Sequence, residues 1–207
     1  MAFEIVVIGT SSGGLGALQT VLSGLPAGFP LPVVLVQHRG KDSEIGLCEF
    51  LSRSTSMRVR EPDDKEFVLP GHVYLAPRDY HLLINDGSFA LSIEPPVAFA
   101  RPSIDVLFES AAETYGEGTI GVIMTGANHD GALGLAKIKA QGGVTLVEDP
   151  KSATAAEMPQ AALDQCTPDW ILPLHQIAPC LERLSNDHSL ARTALAGATE
   201  DGLAYES

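Results

Sequence analysis

The stretch IVVIGTSSGGLG, residues 5–16, decides which fold this sequence can adopt. It opens with four β-branched residues and no polar break, a pattern that predicts a strand buried on both faces. Small residues follow, and the apolar spacing from Leu15 to Leu22 then predicts a helix. A strand, a tight turn and a helix in this order are typical of an open α/β sheet, where such a turn faces the ligand crevice.

Three chemistries use a turn of this kind, and the residue types separate them. Ser11 stands where a dinucleotide-binding turn needs its second glycine, and Gly14 is followed by Leu15 rather than by the lysine of a phosphate-binding loop. Residues 9–13 instead fit the G-x-S-x-G spacing that presents a serine nucleophile on a sharp turn. From this stretch alone a second interpretation stays open, in which Ser11 and Ser12 merely cap the following helix.

Composition narrows the class of protein. A chain of 207 residues suffices for one substantial core, and its net charge of −13 lacks the basic footprint of a nucleic-acid-binding protein. No apolar run approaches the roughly 18 residues of a membrane span, and the N-terminus does not resemble a secretion signal. The three cysteines lack metal-ligand spacing and suit a reducing compartment. We therefore expect a cytoplasmic protein with no membrane insertion, nucleic-acid partner, metal or cofactor.

Buried strands alternate with amphipathic helices along most of the chain. After the first strand, strands are predicted at residues 33–38, 119–124, 144–147 and 170–173, and helices at 15–22, 43–51, 104–115, 132–140, 159–165 and 177–184. Ser43 and Ser103 are the predicted N-caps of the second and third helices. This alternation predicts an α/β domain with a doubly wound, mostly parallel, Rossmann-like sheet of three layers.

Residues 57–96 interrupt the alternation with short apolar runs and turn signals. Asn85-Asp86-Gly87-Ser88, between two such runs, predicts an antiparallel hairpin, which we expect to pair at an edge of the sheet. We expect one catalytic domain over residues 1–185. The remainder, 186–207, is rich in Ala, Gly and Thr, carries a net negative charge, and is expected to be a flexible acidic tail or linker.

Three polar loops are expected to meet at the carboxyl edge of the sheet, because the first strand of a doubly wound sheet is central. They carry Ser11, His38 and Asp130, which are the residue types of a nucleophile, a base and an orienting acid. Each also has an ordinary interpretation: His38 as a strand-end residue and Asp130 as the cap of the helix that follows it. His129 competes with His38 as the base, and Arg101 is a candidate for holding a substrate carbonyl or carboxylate.

Five motifs in order resemble the catalytic domain of the chemotaxis receptor methylesterases of the CheB type. They are residues 8–14 (IGTSSGG), 37–38 (QH), 69–77 (LPGHVYLAP), 101–108 (RPSIDVLF) and 124–131 (MTGANHDG). The similarity runs from about residue 4 to residue 184. It differs from the better-known members in having no receiver domain before the first strand of this sequence, and in the residues at 39, 127 and 128.

The resemblance implies a serine esterase that hydrolyses glutamate γ-methyl esters on chemoreceptors, with deamidation of receptor glutamines as a second reaction. It implies that Ser11 is the nucleophile, His38 the base and Asp130 the orienting acid. Backbone N–H groups near Ser12 and Ala127 are our candidates for the oxyanion hole. The implied partners are the methylated cytoplasmic helices of chemoreceptors, with a chemotaxis methyltransferase or a separate regulatory domain as further candidates.

Two other functions remain open to the sequence. The small-residue turn suits a binding module that holds a nucleotide or another anion at a helix N-terminus. A catalytically altered member would keep the fold and act as a docking module in a chemosensory signalling complex. The two differ from the esterase in one respect that is simple to measure, because neither needs the hydroxyl of Ser11.

Overall fold

The structure is a computed structural model that describes residues 2–39 and 46–186. Its elements, in chain order, are β1 (Ile5–Thr10), α1 (Gly14–Gly24), β2 (Val33–Gln37), α2 (Leu47–Ser52), β3 (Arg58–Arg60), β4 (His72–Leu75), β5 (His81–Asn85), β6 (Ser88–Ser92), α3 (Ile104–Tyr115), β7 (Thr119–Ile123), α4 (Ala132–Ala140), β8 (Val144–Glu148), α5 (Glu157–Gln165), β9 (Trp170–Leu172) and α6 (Leu174–Asn186). A short 3-10 turn, Gly116–Gly118, joins α3 to β7.

Seven strands form one parallel sheet in the order β3-β4-β2-β1-β7-β8-β9. The chain winds outward from β1 through β2 to one edge, then returns to the other side of β1 with β7 and winds to the opposite edge. The predicted doubly wound sheet with β1 at its centre is therefore confirmed. β1 is buried along its whole length, as its unbroken apolar sequence requires.

Successive residues of β1 point to opposite faces and so enter two separate hydrophobic cores. Val6 and Ile8 pack in a core formed with α1, α2 and α6. Ile5 and Val7 pack in a second core formed with α3, α4, α5 and the β5–β6 hairpin. Helices therefore cover both faces of the sheet, which is the expected three-layer architecture.

The segment 57–96 differs from our expectation in one respect. β3 and β4 extend the main sheet in parallel, with β4 paired to β2, whereas the antiparallel hairpin β5–β6 forms a separate two-stranded sheet. The predicted turn is confirmed, since β5 ends at Asn85 and Asp86 and Gly87 have φ of 49° and 73°. The hairpin packs on α3 instead of on a sheet edge, because its apolar face joins the second core and Ser110 donates nothing to the sheet but accepts the N–H of Ile84 at 3.0 Å.

Two helix predictions need correction at their ends. α2 begins at Leu47, and the predicted cap Ser43 lies outside the described residues. α6 begins at Leu174 and ends at Asn186, so the proposed tail lies outside the described residues except for its first residue. Within the described ranges, no helix has both the length and the apolar character that crossing a bilayer requires.

Candidate active site

The loops after β1, β2 and β7 meet at the carboxyl edge of the sheet, because these three strands are neighbours. Backbone hydrogen bonds continue the sheet one residue beyond the strands. The His38 N–H donates to the Thr10 carbonyl at 3.1 Å, and the Ser11 N–H donates to the Thr125 carbonyl at 2.9 Å. The three loops are thus held in fixed register, which brings Ser11, His38 and Asp130 to one end of the sheet.

Gln37, the last residue of β2, ties the first two loops together. Its buried side-chain amide donates to the Ser11 carbonyl at 2.9 Å and to the His38 carbonyl at 2.7 Å. Thr10 and Thr125 add a second tie, because the Thr10 hydroxyl donates to the Thr125 carbonyl and the Thr125 hydroxyl donates to the Ser12 carbonyl. Our sequence analysis named none of these three polar residues as part of the site, although all follow or end a buried strand.

His38 and Asp130 form a hydrogen-bonded ion-pair geometry, with His38 Nε2 2.7 Å from Asp130 Oδ2. The histidine side chain is 13% exposed and the aspartate side chain is fully buried. His129, the competing base, is exposed and points away from this contact, into a depression on the other side of the loop. The geometry therefore favours His38 over His129 as the partner of Asp130.

The Asp130 carboxylate is surrounded by hydrogen-bond donors. Oδ1 accepts the Ser103 hydroxyl at 2.8 Å and the Asp105 N–H at 3.1 Å, while Oδ2 accepts the Ile104 N–H at 2.7 Å in addition to His38. Burial by itself would raise the pKa of Asp130, but the bonds from His38, Ile104, Asp105 and Ser103 outweigh it and lower the pKa below its ordinary value. The carboxylate is therefore ionised at neutral pH and only accepts hydrogen bonds.

The ordinary interpretation of Asp130, as a cap on the helix that follows it, is wrong. The N-cap of α4 is Gly131, and no side chain caps that helix. Asp130 instead lies at the N-terminus of α3, where it accepts the N–H groups of the first two helical residues and the hydroxyl of the N-cap, Ser103. The positive end of the α3 dipole stabilises a carboxylate at this position.

Neither serine in the first turn caps α1. Gly13, with φ of 81°, is the N-cap residue, and no side-chain oxygen bonds the first turn. Only glycine adopts this left-handed backbone without strain, and Gly9 is required for another reason, because a Cβ there would collide with Ile104 of α3. The cap interpretation of Ser11 and Ser12 therefore finds no support, and the Ser11 hydroxyl is left for another role.

Ser11, His38 and Asn128 line one cleft of about 540 Å³ at the carboxyl edge of the sheet. The remaining lining residues are Arg39, Arg78, Asp79, Pro96, Ala98, Phe99, Ala100, Arg101 and Pro102. Within residues 2–39 and 46–186, the side-chain partners of His38 are Asp130 and Asn128, and the Ser11 hydroxyl is not hydrogen-bonded to the ring. Such a bond between nucleophile and base often tightens only when substrate is bound.

Asn128 occupies the second nitrogen of the His38 ring. Its side-chain nitrogen lies 3.0 Å from His38 Nδ1, and its side-chain oxygen accepts the Asp130 N–H at 3.1 Å. Because Asp130 accepts only, Nε2 of His38 carries the ring hydrogen and Nδ1 carries the lone pair. We noted the residue at 128 only as a difference from the family, since no spacing rule in the sequence relates it to a histidine 90 residues away.

Arg101 lines the cleft, but much of its guanidinium is already bonded. It donates to the carbonyl oxygens of Ile93 and Glu94, at 2.8 and 3.0 Å, and lies 3.9 Å from Asp79. Arg39 has similar commitments, donating to the Glu61 carboxylate at 2.7 Å and to a carbonyl oxygen at 3.0 Å. These bonds fix the two side chains and leave their positive charge at the wall of the cleft.

The two candidate oxyanion donors, the N–H groups of Ser12 and Ala127, lie on the loops after β1 and β7. Among the described residues neither N–H donates to a protein acceptor, which leaves both for a ligand. Both residues are exposed, and the cleft lining includes Asn128 but neither Ser12 nor Ala127. Their role remains a prediction. In the described part of the chain, no group of three His, Cys, Asp or Glu side chains could hold a metal ion.

A doubly wound α/β fold whose crevice gathers a serine, a histidine and a buried aspartate defines a class, the α/β serine hydrolases. Comparison with known proteins narrows the class. Residues 6–181 match the family model described as CheB methylesterase. The chain belongs to the CheB methylesterase family, as its sequence motifs indicated.

Individual relatives agree with this assignment. A chain from Leptospira interrogans is 46% identical over 189 residues, which cover 91% of this chain and 98% of that one. Protein-glutamate methylesterase/protein-glutamine glutaminase 2 of Anaeromyxobacter dehalogenans is 41% identical over 182 residues, but this similarity covers only 53% of that longer protein. The crystal structure of the Thermotoga maritima CheB methylesterase catalytic domain superposes with a TM-score of 0.83 at 36% identity, covering 89% of this chain and all of that one.

Proposed function

We propose that this chain is a serine esterase that hydrolyses glutamate γ-methyl esters on chemoreceptors, releasing methanol, and that it also deamidates receptor glutamines. Membership of the CheB methylesterase family supports the reaction, and relatives bear the names of both activities. The observation that carries the proposal is the 2.7 Å contact between His38 and the buried, ionised Asp130, at the cleft that Ser11 lines. A neutral imidazole held in this way is the base that a serine hydroxyl needs.

In the first half of the reaction Ser11 is acylated. Its Oγ bonds to the ester carbonyl carbon, its proton passes to Nδ1 of His38, and the carbonyl π electrons move onto the carbonyl oxygen. When the carbon–oxygen double bond re-forms, the bond to the methoxy group breaks, and that group leaves as methanol with the proton from Nδ1. Asp130 accepts the Nε2 hydrogen throughout and stabilises the imidazolium that forms in between.

Water completes the reaction by the same route in reverse. It gives a proton to Nδ1 of His38 and bonds to the acyl carbon, and the Ser11 oxygen then leaves and takes that proton back. The products are a free glutamate side chain and the starting enzyme. A glutamine side chain reacts in the same way, with ammonia as the group that leaves, so one site accounts for both activities.

The cleft suits an acidic protein surface as substrate. Arg39, Arg78 and Arg101 line it in a chain whose net charge is −13, so the local potential differs from that of the body around it. A glutamate ester on a receptor helix becomes a carboxylate when it is hydrolysed, and the arginine charges favour that product and oppose repulsion by the rest of the molecule. We infer that the partner is the cytoplasmic helices of a chemoreceptor, reached in the cytoplasm, and a methyltransferase or a separate regulatory domain is a further candidate.

The test is methanol release from radiolabelled, methylated receptor membranes. Wild-type protein is expected to release methanol, and Ser11→Ala is expected to fall to background. Ser23→Ala, which removes an exposed hydroxyl from α1, is the matched control and is expected to equal wild type. Retained activity in Ser11→Ala would disprove the serine mechanism. Binding to the membranes without any methanol release from wild type would instead identify a docking module.

A further inference from the structure

The hydrogen bond between Asn128 and His38 occupies the nitrogen that the reaction needs. Nε2 of His38 donates to Asp130, so the Nδ1 lone pair is the only site on the ring that can take a proton. That lone pair accepts the side-chain N–H of Asn128 at 3.0 Å. One lone pair accepts one such bond well, and the Ser11 hydroxyl must therefore displace the amide before its proton can move.

The amide of Asn128 cannot simply return once the proton has moved. Protonated Nδ1 is a donor, and it would then face the Asn128 N–H, which is also a donor. The oxygen of this amide stays bonded to the Asp130 N–H, which keeps the side chain at the cleft and decides which end of it is the nitrogen. The arrival of the proton on His38 thus leaves one N–H group, already in the cleft, without an acceptor.

A new acceptor forms in the cleft at that same moment, because the attack of Ser11 moves negative charge onto the substrate carbonyl oxygen. We propose that Asn128 is a catalytic residue, whose side-chain N–H leaves His38 Nδ1 in the resting enzyme and donates to this oxyanion in the transition state. The inference rests on the proposed esterase function. It gives the oxyanion a donor that lines the cleft, which the residues Ser12 and Ala127 do not.

Two substitutions separate the parts of this role. Asn128→Ala removes the donor and the bond to the Asp130 N–H. Asn128→Asp keeps an oxygen for the Asp130 N–H, and therefore the loop, but has no N–H to donate. His129→Ala changes the exposed neighbour on the same loop and serves as the control. Each is compared with wild type on a receptor peptide that carries one glutamate γ-methyl ester.

Loss of one oxyanion donor is expected to lower kcat by about 10²–10³-fold and to leave KM nearly unchanged. Both Asn128 variants should show this loss, and His129→Ala should match wild type. The same peptide with a thionoester, in which sulfur replaces the carbonyl oxygen, distinguishes an oxyanion donor from a residue that only positions His38. Sulfur is a weaker acceptor, so Asn128→Ala should slow the thionoester far less than the ester, and the ratio of their rates should fall at least about tenfold.

Three results would overturn the inference: an equal loss on both peptides, no loss on either, or a faster rate in Asn128→Ala. The first would make Asn128 a positioning residue, and the last would make it a brake on the base. These outcomes differ from failure of the proposed function, in which wild type would cleave neither peptide or Ser11→Ala would cleave them as well as wild type does. In that case both proposals are wrong together.

Discussion

Replacing Asp130 by asparagine tests the site most directly, because the two side chains have the same shape. The carboxylate accepts four hydrogen bonds, two on each oxygen. An asparagine has one accepting oxygen and one NH₂ group, and the NH₂ group must face an α3 backbone N–H in either orientation. It meets the N–H of Ile104 if it points towards His38, and that of Asp105 if it points towards Ser103.

The cost in stability follows from these contacts. One buried helix N–H loses its acceptor, which costs about 1–3 kcal/mol, and the two bonds that remain lose the strengthening that a charged acceptor gives, about 1 kcal/mol each. We therefore expect Asp130→Asn to lower the free energy of unfolding by about 3–5 kcal/mol. For a domain of this size the thermal midpoint should fall by about 6–20 °C.

The effect on activity has a separate cause. An NH₂ group facing His38 makes Nε2 an acceptor and moves the ring hydrogen to Nδ1, which can then take no proton from Ser11. The opposite orientation preserves the tautomer but removes the charge that stabilises the imidazolium. We expect kcat to fall by roughly 10³–10⁴-fold, less than the roughly 10⁶-fold expected for Ser11→Ala.

The assay pairs methanol release with thermal unfolding, using Asp63→Asn as the control. Asp63 is 93% exposed and lies 3.8 Å from Arg60, so its neutralisation should change neither quantity measurably. A destabilised Asp130→Asn protein with full activity at a temperature where it is folded would show that Asp130 serves only the N-terminus of α3. Full activity together with an unchanged midpoint would refute our account of the contacts themselves.

Three further predictions concern the base, a buried acid and the rim of the cleft. The Ser11→Ala/His38→Ala double variant should lose hardly more kcat/KM than either single variant, because the two residues form one proton-transfer unit; additive losses would contradict this. Burial is the main cause that raises the pKa of Asp105 to about 6 from 3.8, so the folded protein loses up to about 3 kcal/mol as pH rises from about 4 to 6. Asp105→Asn should therefore raise the thermal midpoint at pH 7.5 and not at pH 4, and an equal shift at both would disprove the assignment. Phe99 is fully exposed beside the cleft on a turn with positive φ, and Phe99→Ala should raise KM for receptor substrate about tenfold without lowering kcat, whereas exposed Ile93→Ala, away from the cleft, should not.

Much of the fold was predictable because its signals are local. An unbroken apolar run such as residues 5–8 is compatible with few structures except a strand covered on both sides, and Asn85-Asp86-Gly87-Ser88 specifies a two-residue turn through its own backbone preferences. The same reasoning predicted that β1 lies between β2 and β7, and hence that Ser11, His38 and Asp130 lie at one edge. These inferences need only the order of elements along the chain and the rules by which parallel sheets wind.

The sequence could not decide where short strands pair. β3 and β4 have three and four residues, as many as the hairpin strands or fewer, yet they join the main sheet and the hairpin does not. Strands of this length gain little from intrinsic preference, so the partners available in the folded chain decide their pairing. Our expectation that the hairpin lies at a sheet edge was wrong for this reason.

The sequence determined which chemical groups reach the site, and only the tertiary structure decided what each group bonds. Asp130 looks like a cap for α4 in the sequence, but in the fold it accepts the first N–H groups of α3, which lie 25 residues or more away along the chain. Asn128 and His38 are 90 residues apart, and no periodicity relates them. Hydrogen bonds act over about 3 Å, so their partners depend on how distant segments are brought together, and a linear pattern cannot specify that distance.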